Sequence, residues 1–466
     1  MKKSISIALL TGILVMNFTP CLTLAKSNDN EFKSPAQFKS MVSKNKKEND
    51  TYKYEYVNLD WWKNFNDSNL NDYILKAVIN NYDLKMATIA TREYYQNVRA
   101  QLASELPQMT AGYAPNYVKH PGTSDWGGFF ALPAIVNYEA DIFLKNRDKT
   151  KSVKKLYEAS LFDERGAYIS VASAVGTTYL NLVSLDRMIE LQEDIVELRQ
   201  EIYDLMLQRN KEGITSTSDT VKANKALIAG KTDLIEYKKQ RQQLAHQLAV
   251  LIGESPENAS TLAVTPYDSI NFSGVIPAEI STEVITQRPD YLKAEKMVEK
   301  AGIDVRVAKK EFLPSFNLSG LALFNSSEFG SLFSTKGMLA SLGGAAMLPI
   351  FRGGSLVANL KIKKEQYERI LQNYYKTNLT SIQEVNDSLV AIQRDREKLD
   401  ATLQQAKLER ADFGYSQDKY NQGIISKLDL IQMKENLMVI DKAVTGEQIN
   451  CYVDYIGLYK ATGSKI

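Results

Sequence analysis

The chain has 466 residues, 57 of them basic and 55 acidic, giving a net charge of +2 and a mean hydropathy of −0.29. That balance excludes the basic footprint of a nucleic-acid binder and argues against steering of strongly charged ligands. Two cysteines, Cys21 and Cys451, cannot build a disulfide framework, so packing must hold the fold.

Met1-Lys2-Lys3 followed by an apolar run from Ile5 to Val15 is too short and too early to span a bilayer, and residues 1–25 read as a secretory signal peptide. The small residues Thr23 and Ala25 favour cleavage after Ala25. Cleavage before Cys21, exposing that cysteine to lipidation, is the alternative, and Pro20 suits it badly. Residues 26–58 form a polar N-terminal leader rich in Lys, Ser and Asn, read as extended or poorly ordered. No run of 18 or more apolar residues follows, so any membrane crossing must be made by strands.

From Trp61 the pattern is helical, with Leu70, Ile74, Ala77 and Val78 on one face and Leu84, Ala87 and Thr91 on the next. It stops at Leu106-Pro107, and alternation of period two begins. Met109, Ala111, Tyr113 and Tyr117 alternate with Thr110, Gly112, Ala114 and Asn116; after a polar turn at Gly122-Thr123-Ser124-Asp125, Phe130, Leu132, Ala134, Val136 and Tyr138 share a face. These strands cover about residues 108–138, and long helices over about 148–208 and 218–251 follow, joined by a turn at Gly213. Residues 254–279 read as a linker. Helical periodicity returns near Ile280, with Val284, Ala294, Val298 and Ala301, so both halves are expected to open with paired helices. Leu313-Pro314 ends that stretch. A second strand hairpin over about 315–350 places Phe316, Leu318, Gly320, Ala322 and Phe324 opposite Asn317, Ser319 and Asn325, and is completed by Met338, Ala340, Leu342, Ala346 and Leu348. Long helices over about 355–421 and 428–459 follow, joined at Gly423.

The two halves, residues 59–253 and 280–463, are therefore written to one plan. The segments ending in Leu106-Pro107 and Leu313-Pro314 lie 207 residues apart, while Gly213, Asp219 and Gly253 recur as Gly423, Asp429 and Gly463 at 210. A period that long describes a duplicated structural repeat rather than a solenoid. The returning helices carry seven-residue seams, Leu227, Leu234 and Leu248 in one and Leu430, Leu437, Val444, Cys451 and Leu458 in the other, which predict coiled-coil hairpins with Cys451 packed in a core.

The sequence offers an enzyme little. His120 and His246, the only histidines, have no second ligand at metal spacing, so no metal or cofactor is expected. Gly343-Gly344 and Gly353-Gly354 lack a phosphate-loop lysine, and no acid–base pair is placed by the pattern. The strands allow two readings: ordinary hairpins on a globular core, or membrane strands of about ten residues with small apolar side chains on one side and aromatics near the ends. On the second reading, four strands cannot close a barrel in hydrocarbon; three copies supply twelve, and their helices would enclose a tube about 100 Å deep.

The ordered matches Trp61-Trp62-Lys63-Asn64-Phe65, Gln287-Arg288-Pro289-Asp290, Phe312-Leu313-Pro314-Ser315, Leu348-Pro349-Ile350-Phe351-Arg352-Gly353-Gly354 and Lys419-Tyr420-Asn421-Gln422-Gly423 resemble the TolC-like outer-membrane factors over Trp61 to Gly463. The resemblance is to the branch serving tripartite RND-type multidrug efflux pumps. It implies a mostly α fold with a small β part: two tandem repeats, each a pair of long coiled-coil helices plus a two-stranded hairpin, forming a homotrimeric α-barrel tunnel in the periplasm under a shared twelve-stranded barrel in the outer membrane. It also implies a periplasmic adaptor, an inner-membrane transporter that supplies the energy, and no catalysis by this chain. A duct for type I protein secretion, or a non-channel periplasmic coiled-coil scaffold, are the alternatives.

By position, the resemblance makes Asp219, Tyr420 and Asp429 candidates for an iris-like gate, and the turns carrying Gly213, Ile214, Gly423 and Ile424 candidates for adaptor contact. The chain departs from the family pattern where Ile425 replaces a basic residue and Gln432 an acidic one, leaving Lys427 as the cation expected to reach Asp429 or Asp219. Both aspartates also sit where a helix-capping carboxylate would.

Overall fold

The computed structural model describes residues 60–119, 126–274, 280 and 282–463. The signal peptide, the lipidation candidate Cys21, the polar leader, His120 and the turn at 122–125 lie outside the described residues. Helices α1 (Ser68–Asn80) and α2 (Tyr82–Ala103) lead into strands β1 (Gln108–Ala111), β2 (Ala114–Lys119) and β3 (Trp126–Ala140), then the long helix α3 (Lys145–Lys211) and its return α4 (Thr217–Leu251). After residues 252–281 come α5 (Thr282–Ile285), α6 (Pro289–Lys310), β4 (Ser315–Ser326), β5 (Met338–Met347), α7 (Ser355–Asn421) and α8 (Lys427–Ala461). Lengths match in pairs: 22 residues in α2 and α6, 67 in α3 and α7, 35 in α4 and α8. At roughly 1.5 Å per residue each 67-residue helix is about 100 Å long.

Several boundaries differ from the pattern in the sequence, each for a local reason. Among the described residues the second half opens on a single turn, α5, rather than on a paired helix. Pro289 stands at the first position of α6 and holds Arg288 extended at φ −62° and ψ 140°, which separates the two. Helix α3 begins at Lys145, three residues early, because Leu144 turns through φ 57° and Asp141 Oδ2 accepts the Arg147 amide at 2.8 Å. The first strand is split. Pro133 sits opposite Gly112 and has no N–H to give, so only the Gly112 amide bonds across, to Pro133 O at 2.9 Å. The last strand stops at Met347, short of Leu348, since the next partner would be Pro314. Gly353 and Gly354 then take φ of 56° and 82° to turn the chain into α7.

The core sits around the middle of α3. Trp61, Trp62 and Phe65 enter it from a short 3₁₀ turn, with Leu70, Tyr73 and Ile74 of α1, Val175, Tyr179 and Leu180 of α3, Leu248 of α4, and Ile449, Tyr455 and Ile456 of α8. Phe65 is wholly buried, with ring centroids of Phe272 and Tyr452 at 4.9 and 5.6 Å. The cap of α1 is wired into the same core: Asp67 accepts the Asn69 and Leu70 amides, the Tyr179 hydroxyl at 2.8 Å and the Thr265 hydroxyl at 3.0 Å. Residues 254–274, expected as a linker, are thus bound to the helices; Tyr73 donates to Ala263 O, and Tyr267 to Gln448 Oε1. Helix α3 contains a window apolar enough by composition to cross a bilayer, but that window is largely buried against its neighbours and is core.

Arg288 explains the Gln-Arg-Pro-Asp match. Its buried guanidinium donates to Ala461 O, to Asp290 Oδ2 at 2.8 Å and to Glu384 Oε2 at 2.5 Å, tying the start of α6 to α7 and the end of α8.

The strands form one antiparallel sheet in the order β1–β3–β4–β5, with β2 continuing beside β3. Phe130 pairs with Ser326 and Ala140 with Phe316; Ser315 pairs with Met347 and Phe324 with Met338. This register places Met109, Tyr113, Tyr117, Leu132, Val136, Leu318, Phe324, Met338 and Leu342 on a single apolar face. The other face mixes Gln108, Thr110, Asn116, Asn137, Asn317, Ser319, Asn325 and Ser341 with Ile135, Leu321 and Leu323. Leu342, on the apolar face, is 95% exposed. Aromatic contacts gather near both ends of the strands: Tyr113–Phe130, Phe130–Phe329 and Phe324–Phe333 at one, Phe143–Phe316 at the other. Among the described residues, β1 and β2 on one side and β5 on the other leave their outer edges unpaired.

Candidate functional site

The two helical hairpins end in turns built alike. In the first, Gly213 at φ 74° donates to Asn210 O and Ile214 to Arg209 O; in the second, Gly423 at φ 72° donates to Tyr420 O and Ile424 to Lys419 O. This pair of bonds closes a helix only when the residue at the glycine position is left-handed, so both glycines are required by the turn. Each turn projects an isoleucine, Ile214 and Ile424, that is 65% exposed.

The returning helices start on serine caps that the helical pattern does not reveal but the Ser-x-x-Asp spacing does. Ser216 Oγ donates to Asp219 Oδ2 at 2.7 Å and accepts the Asp219 amide. Ser426 Oγ makes the same pair with Asp429, which also accepts the Ser426 amide at 3.0 Å and completes a capping box. The Ser216 hydroxyl first, then Lys222 at 3.2 Å, holds the Asp219 carboxyl below its usual range. Asp429 is lowered likewise by Ser426, with Arg209 adding to the effect. Ser216 and Ser426 therefore cap the helices, Asp429 alone reaching back to its cap's backbone amide, and both aspartates line one cleft of about 610 Å³ between the hairpins, together with Arg199, Arg209, Thr215, Lys222, Gln432 and Glu435.

Lys427 does not reach either aspartate. It pairs with Glu201 of α3, which raises its pKa, with Tyr420 adding to the shift. The reason is placement: Lys427 opens α8, which lies along α3, so its side chain meets the α3 surface. Tyr420 stands on the last turn of α7 and is partly exposed. Residues not singled out by sequence also join the hairpins here. Arg199 Nε and Nη2 donate to Glu435 Oε1 at 2.9 and 2.7 Å, and Lys442 Nζ donates to Gln192 Oε1 at 2.7 Å.

Among the described residues no group of His, Cys, Asp and Glu is arranged to hold a metal. Cys451 is a free, half-buried thiol whose pKa is pushed up to about 11, mainly by burial, which disfavours the reactive thiolate at neutral pH.

The model of the outer membrane efflux protein family matches residues 74–254 and 280–464. Among curated relatives, the chain is 26% identical over 411 residues to the probable efflux pump outer membrane protein TtgC of Pseudomonas putida, covering 86% of this chain and 84% of that one. It is 24% identical over 428 residues to the cation efflux system protein CusC of Escherichia coli, covering 88% and 89%. Among solved structures, the CmeC outer membrane channel of Campylobacter jejuni matches with a TM-score of 0.80 at 24% identity, over 90% of both chains. The two matched segments take in both long hairpins, the strands and both glycine turns, and the chain belongs to the outer membrane efflux protein family, the TolC-like outer-membrane factors, with its strands in the outer membrane and its long helices in the periplasm.

Proposed function

We propose that three copies of this chain pool their strands into a twelve-stranded barrel and their helical hairpins into a periplasmic tunnel, forming the exit duct of a tripartite efflux system. One observation carries this reading: a membrane-style sheet with an apolar outer face and two unpaired edges, β1/β2 and β5. Unpaired backbone N–H and C=O groups in hydrocarbon cost several kcal/mol each, so the edges must meet those of other copies. The matching lengths of the long helices in the two halves support tandem repeats, which give a trimer six near-equivalent hairpins for a closed ring.

In this reading the tips carrying Gly213-Ile214 and Gly423-Ile424 receive a periplasmic adaptor, and an RND-type inner-membrane transporter supplies energy and selects the cargo. The names of the relatives, an efflux pump outer membrane protein for TtgC and a cation efflux system protein for CusC, support efflux over protein secretion, and we take the cargo to be drugs or other small toxic compounds. Asp219 and Asp429, with Tyr420 beside the same turns, hold an iris closed while each stays bonded to the serine that caps its helix. Exposed polar pairs are screened by solvent and weak enough for a docking partner to overturn.

The test is conductance of purified trimers in planar bilayers. Wild type should open rarely, and Asp219→Ala/Asp429→Ala should open at least about tenfold more often. Equal conductance of the two would reduce these aspartates to caps. Silence from well-folded trimers of both would defeat the duct.

A further inference from the structure

The ion-pair lock suggested by family position is incomplete in this chain, yet the second hairpin is moored to the first at a different level. Arg199 lies on α3, twelve residues before its end at Lys211, or about 18 Å above the turn. Its guanidinium spans three helices: Nε and Nη2 donate to Glu435 of α8, and Nη1 donates to Ala226 O of α4 at 2.9 Å. Glu435 is 8% exposed, so its charge is held where Arg199 is the partner that neutralises it.

Gly230 makes room for this span. A glycine inside a long helix is unfavourable unless something needs the space. Here a Cβ would stand 3.2 Å from Arg199 Nη1, 3.3 Å from Arg199 Cδ and 3.4 Å from Val196 Cγ2. The Gly230 carbonyl also accepts Gln192 Nε2 at 3.0 Å, and Gln192 Oε1 in turn accepts Lys442 of α8. The arrangement is one-sided: at the offset of 210 residues, Arg199, Gly230 and Glu435 correspond to Glu409, Ile440 and Lys225, so the second hairpin has no equivalent clamp.

We infer that Arg199, seated over Gly230 and paired with Glu435, is the positioning clamp that holds α8 against the α3–α4 hairpin and so sets the resting, closed position of the second hairpin. This rests on the duct reading above and deepens it. The clamp acts above the turns, independently of Asp219 and Asp429. An iris that opens by moving α7 and α8 away from α3 must break it, because the pair joins the two bodies that separate.

The test uses full-length trimers in planar bilayers with Glu435→Gln, which removes the charge and keeps the shape, and Gly230→Ala, which favours helix but crowds Arg199. Both are expected to raise open frequency at least fivefold, and the α4 helix of Gly230→Ala should melt no earlier than wild type. A merely structural role would not produce that divergence of gating from stability. The exchanged pair Arg199→Glu/Glu435→Arg should bring the frequency back toward wild type. Wild-type gating in both single variants, while Asp219→Ala/Asp429→Ala opens, would overturn the clamp and leave the duct standing. Silence in every variant, including the double aspartate one, would remove the duct and the clamp with it.

Discussion

Phe65→Ala is expected to lower the thermal midpoint of the helical circular-dichroism signal by about 5 °C, from a loss of about 3–5 kcal/mol. The side chain is fully buried among Trp61, Phe272, Tyr452 and Tyr455. These rings come from the N-terminal 3₁₀ turn, the segment after α4, and α8, so the cavity opens where the two halves of the chain meet. Truncation removes both the transfer free energy and the contacts of the cavity wall, and a wall of large rings on three separate segments collapses poorly. A shift below about 1 °C would mean that this aromatic cluster does not hold the halves together.

Leu342→Arg should largely abolish assembled oligomers in outer-membrane fractions, whereas Ser341→Arg should leave them close to wild-type abundance. The two positions are adjacent on β5 and point to opposite faces. Leu342 pairs with Gly320 in the middle of the apolar face, and an arginine near the bilayer midplane costs about 2–4 kcal/mol in a barrel. Ser341 shares its face with Asn317 and Ser319, the face that would line the lumen. Semi-native gels of membrane fractions read the comparison directly. Equal tolerance of both substitutions would mean that neither face meets lipid.

Much of the fold could be read from periodicity because its elements are long. Sixty-seven residues of helical pattern without proline leave little room for another reading, and the Leu-Pro pairs at Leu106-Pro107 and Leu313-Pro314 mark the change from period 3.6 to period two. What failed to show was set by single backbone groups. Pro133 interrupts a strand that is not its own, by having no N–H for the residue opposite, and pattern reading along one strand cannot see its partner. Pro289 was visible, but its effect in reducing the helix before it to one turn depends on Arg288 being pinned by Ala461, Glu384 and Asp290.

The candidate site was legible to a lesser degree. Gly213 and Gly423 announce their turns by type and spacing, and Ser216 and Ser426 announce caps through Asp219 and Asp429. The absence of a basic residue at Ile425 points to Lys427 as the cation for Asp429 or Asp219, but α8 lies on α3 and offers Lys427 Glu201 instead. Arg199 and Glu435 are 236 residues apart, and nothing in a single sequence joins them. Only the isolated Gly230 within a heptad helix hinted that something large passes close by.

Native mass spectrometry of the detergent-solubilised protein shows whether the sheet is closed by other copies of the same chain. Three chains per particle, with a pore along the symmetry axis in projection images of the same sample, is the predicted result. A stable monomer, with the edges of β1/β2 and β5 unpaired and no axial pore, would contradict it.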